Sequence, residues 1–291
     1  MKGWPLPCAA NPTSMHEGEY VLTPAKDPKR VLVIGAGPGG MKAAITAAQR
    51  GFDVTLWEKS RRLGGAMAAA GAMDFKRDVR SQVDYLERQI AKYDIAVELG
   101  HEATIEDVRA YDPDFVVVAT GADPIVIPVP GARGENVKLA IPVLLGDQTT
   151  GQRVAVIGGG DVGCELAVEL CRQGKEVTIV EMVDKLMSRG GSFVANEQNL
   201  RYLVAHSGAH VICGTRLMEI CDDGVIVQKD GEELRIPCDT VVFAAGYRAN
   251  HSLYESILDA GYDCVQVGDN VRPGKISDAI SQGYNYSRVL E

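Results

Sequence analysis

RVLVIGAGPGGMKAAITAAQRGFDVTLWE (residues 30–58) decides the fold of this 291-residue chain. A β-branched run at 31–34 reads as a buried strand. The turn Gly35-Ala36-Gly37-Pro38-Gly39-Gly40 follows, then a helix-forming stretch, and a second apolar strand spans 54–57. A helical crossover makes two such strands parallel neighbours in a βαβ unit. Gly35 permits the tight turn, Gly37 lets a diphosphate approach backbone N–H groups at the positive helix end, and Gly40 lets helix and strand pack closely. Glu58 ends the second strand 23 residues after Gly35. That is near the spacing of about 20 at which a carboxylate meets ribose hydroxyls.

The pattern returns at a constant offset of 123. RVAVIGGGDVGCELAVELCRQGKEVTIVE (residues 153–181) aligns without a gap and is identical at 12 of 29 positions. Gly158, Gly160, Gly163 and Glu181 take the places of Gly35, Gly37, Gly40 and Glu58. A single G-x-G-x-x-G is weak evidence, because glycine-rich turns between strand and helix also occur as bare structure. Two of them, each in its strand-helix-strand-acid context, predict two adenine dinucleotides. Glu181 would bond the ribose of NADH and repel the extra phosphate of NADPH, so NADH is the expected second cofactor. Lys185 and Arg189, close by in sequence, leave NADPH open.

Outside the repeats, DPDFVVVATGADPIVIPVPG (residues 112–131) reads as a strand closed by Ala119-Thr120-Gly121, then a proline-rich connection. CDTVVFAAGYRAN (residues 238–250) is a similar strand ending at Ala244-Ala245-Gly246, and CVQVGDN (residues 264–270) sets Gly268-Asp269 at a strand end before a last helix. The expected class is α/β, with two interleaved Rossmann-like dinucleotide-binding domains. Hydrophobic residues at 46% and charged residues at 24% describe a folded globular chain, and its length suits about two domains. The net charge of −9 opposes nucleic acid and acidic membranes as partners. There is no apolar run long enough to span a bilayer and no signal-peptide pattern, which leads to the expectation of a cytoplasmic protein.

The seven cysteines include no C-x-x-C pair, and residues 50–80 contain none, so the redox thiols of a disulfide reductase are missing. Cys164 and Cys171 share a helix face but stand about 10.5 Å apart, too far for a disulfide. The five histidines show no ligand spacing, and no metal site is expected.

The order of motifs resembles the glutathione-reductase-like flavoproteins. More specifically, CAANPTSMHEGEYVLTPAKDPKRVLVIGAGPGG (residues 8–40), LGGAM (63–67), GGGDVGCELA (158–167) and VQVGDNVRPGKISDAISQGYNYS (265–287) resemble one branch of them. This is the 2,4-dienoyl-CoA reductase, trimethylamine dehydrogenase and iron-sulfur old yellow enzyme family. The resemblance implies an N-terminal arm (residues 1–24), a discontinuous FAD domain (25–133 and 248–291) and an NAD(P)H domain (134–247). It places Gly35, Gly37, Pro38, Gly39 and Gly40 on the FAD diphosphate and Glu58 on the adenosine ribose. Lys59, Arg62, Leu63, Gly64 and Gly65 fall in the loop beside that diphosphate, with Ala119, Thr120 and Gly121 in the same site. Gly268 and Asp269 meet the ribityl and diphosphate region, and Ile276 begins the helix that points at the flavin. On the second cofactor it places Gly158, Gly160, Asp161, Val162, Gly163, Glu181, Ala245 and Gly246.

In that family a cysteine before Asn-Pro is the last ligand of a 4Fe-4S cluster, and an FMN-binding barrel lies upstream. Cys8 alone cannot hold a cubane. The 4Fe-4S cluster and FMN are therefore expected only in an upstream portion or partner subunit. The expected function is that of an FAD-dependent NADH oxidoreductase domain or subunit that passes hydride from NADH to FAD and electrons onward. No catalytic acid or base is expected, since the cofactors carry the chemistry. Two alternatives stand beside it: a nucleotide-binding module without redox turnover, and a stand-alone NADH:quinone or electron-carrier reductase.

Overall fold

A computed structural model describes residues 8–188 and 194–291. In chain order the strands are β1 (Arg30–Ile34), β2 (Asp53–Glu58), β3 (Ala96–Leu99), β4 (Phe115–Val118), β5 (Ala122–Pro124), β6 (Val137–Leu139), β7 (Arg153–Ile157), β8 (Glu176–Val180), β9 (His210–Ile212), β10 (Thr215–Cys221), β11 (Gly224–Lys229), β12 (Glu232–Pro237), β13 (Thr240–Phe243), β14 (Tyr247–Ala249) and β15 (Cys264–Gln266). The helices are α1 (Pro38–Gln49), α2 (Gly65–Ala72), α3 (Arg77–Lys92), α4 (Ile105–Tyr111), α5 (Ala140–Leu144), α6 (Asp161–Arg172), α7 (Val194–Ser207), α8 (Ser252–Asp259) and α9 (Ile276–Arg288).

The chain divides into two compact units. One runs up to Asp123 and resumes at Arg248–Glu291; the other is Pro124–Tyr247. Residues 124–133 pack within the second unit, although the family resemblance grouped them with the first domain. Their apolar side chains Ile127, Val129 and Ala132 lie against Ile220, Val227 and Phe243, which draws this stretch there. Strands β5 and β14 form a small two-stranded sheet.

In the first unit the sheet order is β15-β4-β1-β2-β3, with every neighbour parallel. Val31, Leu32 and Val33 are wholly buried, as a strand covered on both faces must be. Val31 and Val33 face a core built with α1 and α3, where Met41, Ala44, Val83 and Leu86 lie. Leu32, Ile34 and Trp57 face the other way, toward Val108 and Ile257 of α4 and α8. Trp57 is thus core, stacked on His101 at 4.3 Å. Helix α3 lays Val83, Leu86 and Ile90 inward, as its apolar periodicity predicts. Residues 8–24 form no helix or strand. Their end is pinned by the Tyr284 hydroxyl, which donates to the Tyr20 carbonyl (2.7 Å), and by the Arg50 Nε, which donates to the Thr23 carbonyl (3.0 Å).

In the second unit the order is β6-β13-β7-β8-β9, again all parallel. Strands β7, β8, β9 and β13 therefore repeat the placement of β1, β2, β3 and β4. The antiparallel meander β10-β11-β12 takes the connection that α4 makes in the first unit. It covers one sheet face with Leu217, Ile220, Val225 and Val227. The expected class, parallel α/β sheets of Rossmann type, holds in both units. Among the described residues no helix is long and apolar enough to cross a membrane.

Candidate functional site

In a doubly wound sheet, ligands bind beyond the carboxyl ends of the strands, where the strand order reverses. In the first unit that point lies between β1 and β4, and in the second between β7 and β13. Both glycine turns sit there. A side chain on Gly35 would meet the Ala119 carbonyl oxygen at 2.3 Å, and one on Gly158 the Ala244 oxygen at 2.4 Å. Both residues also have a left-handed backbone, with φ of +101° and +113°, so glycine is required twice over. Gly40 and Gly163 approach the Gly35 and Gly158 carbonyls so closely that a Cβ would lie 1.8 and 2.0 Å away. By contrast, a Cβ on Gly37 or Gly160 would touch nothing within 4 Å. These two residues are the N-caps of α1 and α6, whose first N–H groups have no intrahelical acceptor.

The strand-end acids close onto the turns in the same way in both copies. Glu58 Oε2 accepts the Ala36 N–H (2.7 Å) and Oε1 accepts the Ser60 N–H (2.7 Å). Glu181 Oε2 accepts the Gly159 N–H (2.6 Å) and Oε1 accepts the Val183 N–H (3.0 Å). Each donor pair is again 123 residues apart. The carboxylates are thereby fixed at the mouths of the turns, each oxygen with a lone pair left for a ribose hydroxyl.

The loop after Glu58 folds back onto the first turn. Gly64 N–H donates to the Ala36 carbonyl (2.9 Å), and a Cβ on Gly65 would lie 3.0 Å from the Gly37 Cα. Leu63 packs against the core below, while Lys59 and Arg62 are exposed. Pro38 is the first residue of α1. Gly39 turns toward α9: a Cβ there would stand 3.3 Å from the Ala279 carbonyl, so its lack of a side chain serves helix packing. Ala119 is buried beside Gly35, and Thr120 and Gly121 follow β4 into the same region.

Gly268 and Asp269 form a short helical turn after β15. Burial pushes the Asp269 carboxyl above its ordinary value of 3.8, and nearby Asp278 adds to this, against the Gly274 N–H that donates to Asp269 Oδ1 (2.9 Å). Ile276 is the first residue of α9. Sequence reasoning missed Asn270, which is wholly buried and donates to the Thr120 hydroxyl (2.9 Å). Its Oδ1 has no hydrogen-bond partner. An asparagine next to a Gly-Asp turn carries no sequence signal of its own.

The second turn opens on a cleft of about 730 Å³ within its unit. Gly158, Gly160, Asp161, Val162, Glu181, Ala245 and Gly246 line it, and Gly163 lies beneath. Ile125, Ile127 and Val129 form an apolar wall, and β10 contributes Arg216 and Met218. Lys185 is not part of the lining, and Arg189 lies outside the described residues. Cys164, just below this turn, is buried, and its thiol is pushed up to about 12 by that burial, with Asp161, Glu165 and Glu181 adding to it. It is not a nucleophile. All seven cysteines are unpaired. Among the described residues no three His, Cys, Asp or Glu side chains gather as a metal site.

Two Rossmann-type units, each with a complete turn-and-acid device, define a two-dinucleotide oxidoreductase class. Residues 29–270 match the family model described as pyridine nucleotide-disulphide oxidoreductase, and the chain belongs to that family of NAD(P)H-dependent flavoproteins. It is 36% identical over 284 residues to a cinnamate reductase of Clostridium sporogenes, covering 97% of this chain and 42% of that protein. It is 37% identical over 289 residues to an NADH oxidase of Thermoanaerobacter brockii, covering 96% and 44%. A solved 2-naphthoyl-CoA reductase complex superposes with a TM-score of 0.91 at 32% identity, covering 98% of this chain and 43% of that one. The chain thus spans less than half the length of these relatives. FAD and NAD(P)H are the cofactors of the family. The residues present fit them, since Gly37 and Gly160 leave the space a diphosphate needs and Asn270 Oδ1 lacks a donor.

Proposed function

We propose that this chain is the NADH-oxidising reductase portion of a larger flavoenzyme, with FAD held by the first unit and NADH by the second. The observation that carries the reading is the duplicated closure of Glu58 and Glu181 onto their glycine turns, each beside an open N-cap glycine. Bound FAD and NADH would supply the redox chemistry, a hydride passing from one to the other and electrons leaving onward.

The protein's part is to position and to tune. The N–H groups at the start of α1 would hold the FAD diphosphate at the positive end of the helix. Glu58 would fix the adenosine ribose, and the loop 59–65 would lie beside the diphosphate. Asp269, set by the Gly274 N–H, would take ribityl hydroxyls, and α9, starting at Ile276, would offer its N-terminal end to the flavin. In the second unit α6 starts with Asp161 where α1 has Pro38. A carboxylate in the first turn repels a diphosphate, by up to about 1 kcal/mol for unit charges about 4 Å apart in water, which suits a cofactor that must leave each cycle. Glu181 favours NADH. The final acceptor lies beyond this chain, in an FMN and 4Fe-4S portion or subunit of the kind the resembled family carries. Seven unpaired cysteines suit a cytoplasmic setting.

The test is an anaerobic titration of FAD-loaded protein with NADH. Bleaching of the flavin absorption at one NADH per FAD is the expected result. Bound FAD that NADH leaves unbleached would overturn the reading in favour of a nucleotide-binding module.

A further inference from the structure

Strand β10 runs directly beside the end of β8. Gly214 N–H donates to the Val183 carbonyl and Thr215 N–H to the Glu181 carbonyl, both at 2.9 Å. The residue that follows, Arg216, therefore leaves the backbone next to Glu181. It is exposed, and it lines the same cleft as Gly160, Glu181 and Met182. Among the described residues no carboxylate forms an ion pair with it. Glu181 is held by the N–H groups of Gly159 and Val183, so it cannot swing aside when an anion arrives. A phosphate on the ribose that Glu181 bonds would meet a fixed negative charge, and among the described residues Arg216 is the cation lining the cleft that could offset it.

We propose that Arg216 is a specificity-determining residue that receives the 2′-phosphate of NADPH, so that the balance of Glu181 against Arg216 sets the preference between the two pyridine nucleotides. The proposal rests on the reading of this cleft as a dinucleotide site. A guanidinium suits the task, because its planar fork bonds two phosphate oxygens at once and it is charged at every working pH. NADH has no 2′-phosphate and makes no such demand. The cleft would then accept both cofactors, NADH the more tightly.

The experiment measures dissociation constants of the full chain for NADH, NADPH, 5′-AMP and adenosine 2′,5′-bisphosphate by calorimetry, in wild type, Arg216→Gln, Arg216→Lys and Glu181→Gln. Arg216 is exposed, so its variants should fold, and thermal melts check that they do. In Arg216→Gln the ratio of NADPH to NADH dissociation constants should rise about tenfold, as loss of a charge-assisted phosphate bond implies. The bisphosphate should weaken relative to 5′-AMP by a similar factor. Arg216→Lys should restore part of the ratio, and Glu181→Gln should lower it below wild type. An unchanged ratio, or equal losses for both nucleotides, would overturn the role of Arg216 while leaving the dinucleotide site standing. A wild-type chain that binds neither nucleotide would remove the site itself, and Arg216 with it.

Discussion

Replacing Glu58 by Gln tests the device on which the site is built. Glu58 is only 7% exposed, and its two oxygens accept the Ala36 and Ser60 N–H groups, both at 2.7 Å. Gln can supply one acceptor. The other position becomes an NH₂ that faces a backbone N–H, so a charge-assisted bond is lost, at about 1.5–3 kcal/mol for a bond to a charged group. The surviving bond also weakens, since charged pairs are roughly twice as strong as neutral ones. Together these cost about 3 kcal/mol, with little relief from solvent at so buried a site. For a unit of this size roughly 2–4 °C of melting temperature goes with each kcal/mol, so a fall of about 6–12 °C is expected in FAD-free protein. Circular dichroism melts of the FAD-free chain read it directly. Glu181→Gln has the same geometry but a more exposed acid, and should shift the melt less. A Glu58→Gln melt within about 1 °C of wild type would refute the view that this carboxylate braces the turn.

Other outcomes follow from the same geometry. Gly40→Ala places a methyl 1.8 Å from the Gly35 carbonyl and should abolish soluble folded protein, whereas Gly37→Ala, with nothing within 4 Å, should fold normally yet lose FAD; expression yield and flavin content separate the two. Asp269, raised by burial, disfavours the folded state when ionised, so its favourable contribution is present below about pH 3.8 and lost as pH rises through its folded value. Asp269→Asn should therefore raise the melting temperature of FAD-free protein at pH 7, with the gap closing as pH falls, while weakening FAD; a gap independent of pH would count against this. Cys164, with its thiol pushed up to about 12, should resist alkylation at pH 8 in native protein, while exposed Cys8 reacts, as peptide mass mapping would show.

The parts of the molecule that were legible in sequence are those written in local spacing. Gly35, Gly40, Gly158 and Gly163 announce strand, turn and helix within a dozen residues, and the offset of 123 marks the duplication. What was hidden depends on partners far along the chain or on atoms without residue identity. The donors to Glu58 and Glu181 are backbone N–H groups, which any residue supplies. The packing of Gly39 shows only with α9, more than two hundred positions later, which brings Gly283 against it: a Cβ on Gly283 would stand 2.2 Å from the Gly39 oxygen. Arg216 could be found only from the pairing of residues 214–215 with 181–183, which no periodicity encodes. Residues 124–133 went to the second unit because the meander offers their apolar side chains a surface.

The two copies keep one backbone device and differ in what surrounds it, and that difference bears on how each would treat its ligand. In the first unit the loop with Gly64 and Gly65 presses on the turn, Glu58 is buried, and α1 begins with an uncharged proline. In the second the turn opens on a cleft of about 730 Å³, Glu181 is only partly buried, and α6 begins with Asp161. On the proposed reading, more of the first ligand's charge and surface is taken from water, and no acid opposes its diphosphate. The first site then retains its cofactor, while the second gives up some affinity and gains exchange. Asp161→Asn puts a number on this: it should tighten NADH by up to about fivefold, the equivalent of about 1 kcal/mol of like-charge repulsion removed, and leave FAD affinity unchanged. Tighter NADH binding with slower release would then make product departure limiting. A rapid-mixing trace in which NAD⁺ release is no slower in the variant, despite tighter binding, would show that Asp161 acts on nucleotide entry alone and would sink the argument that this carboxylate serves exchange.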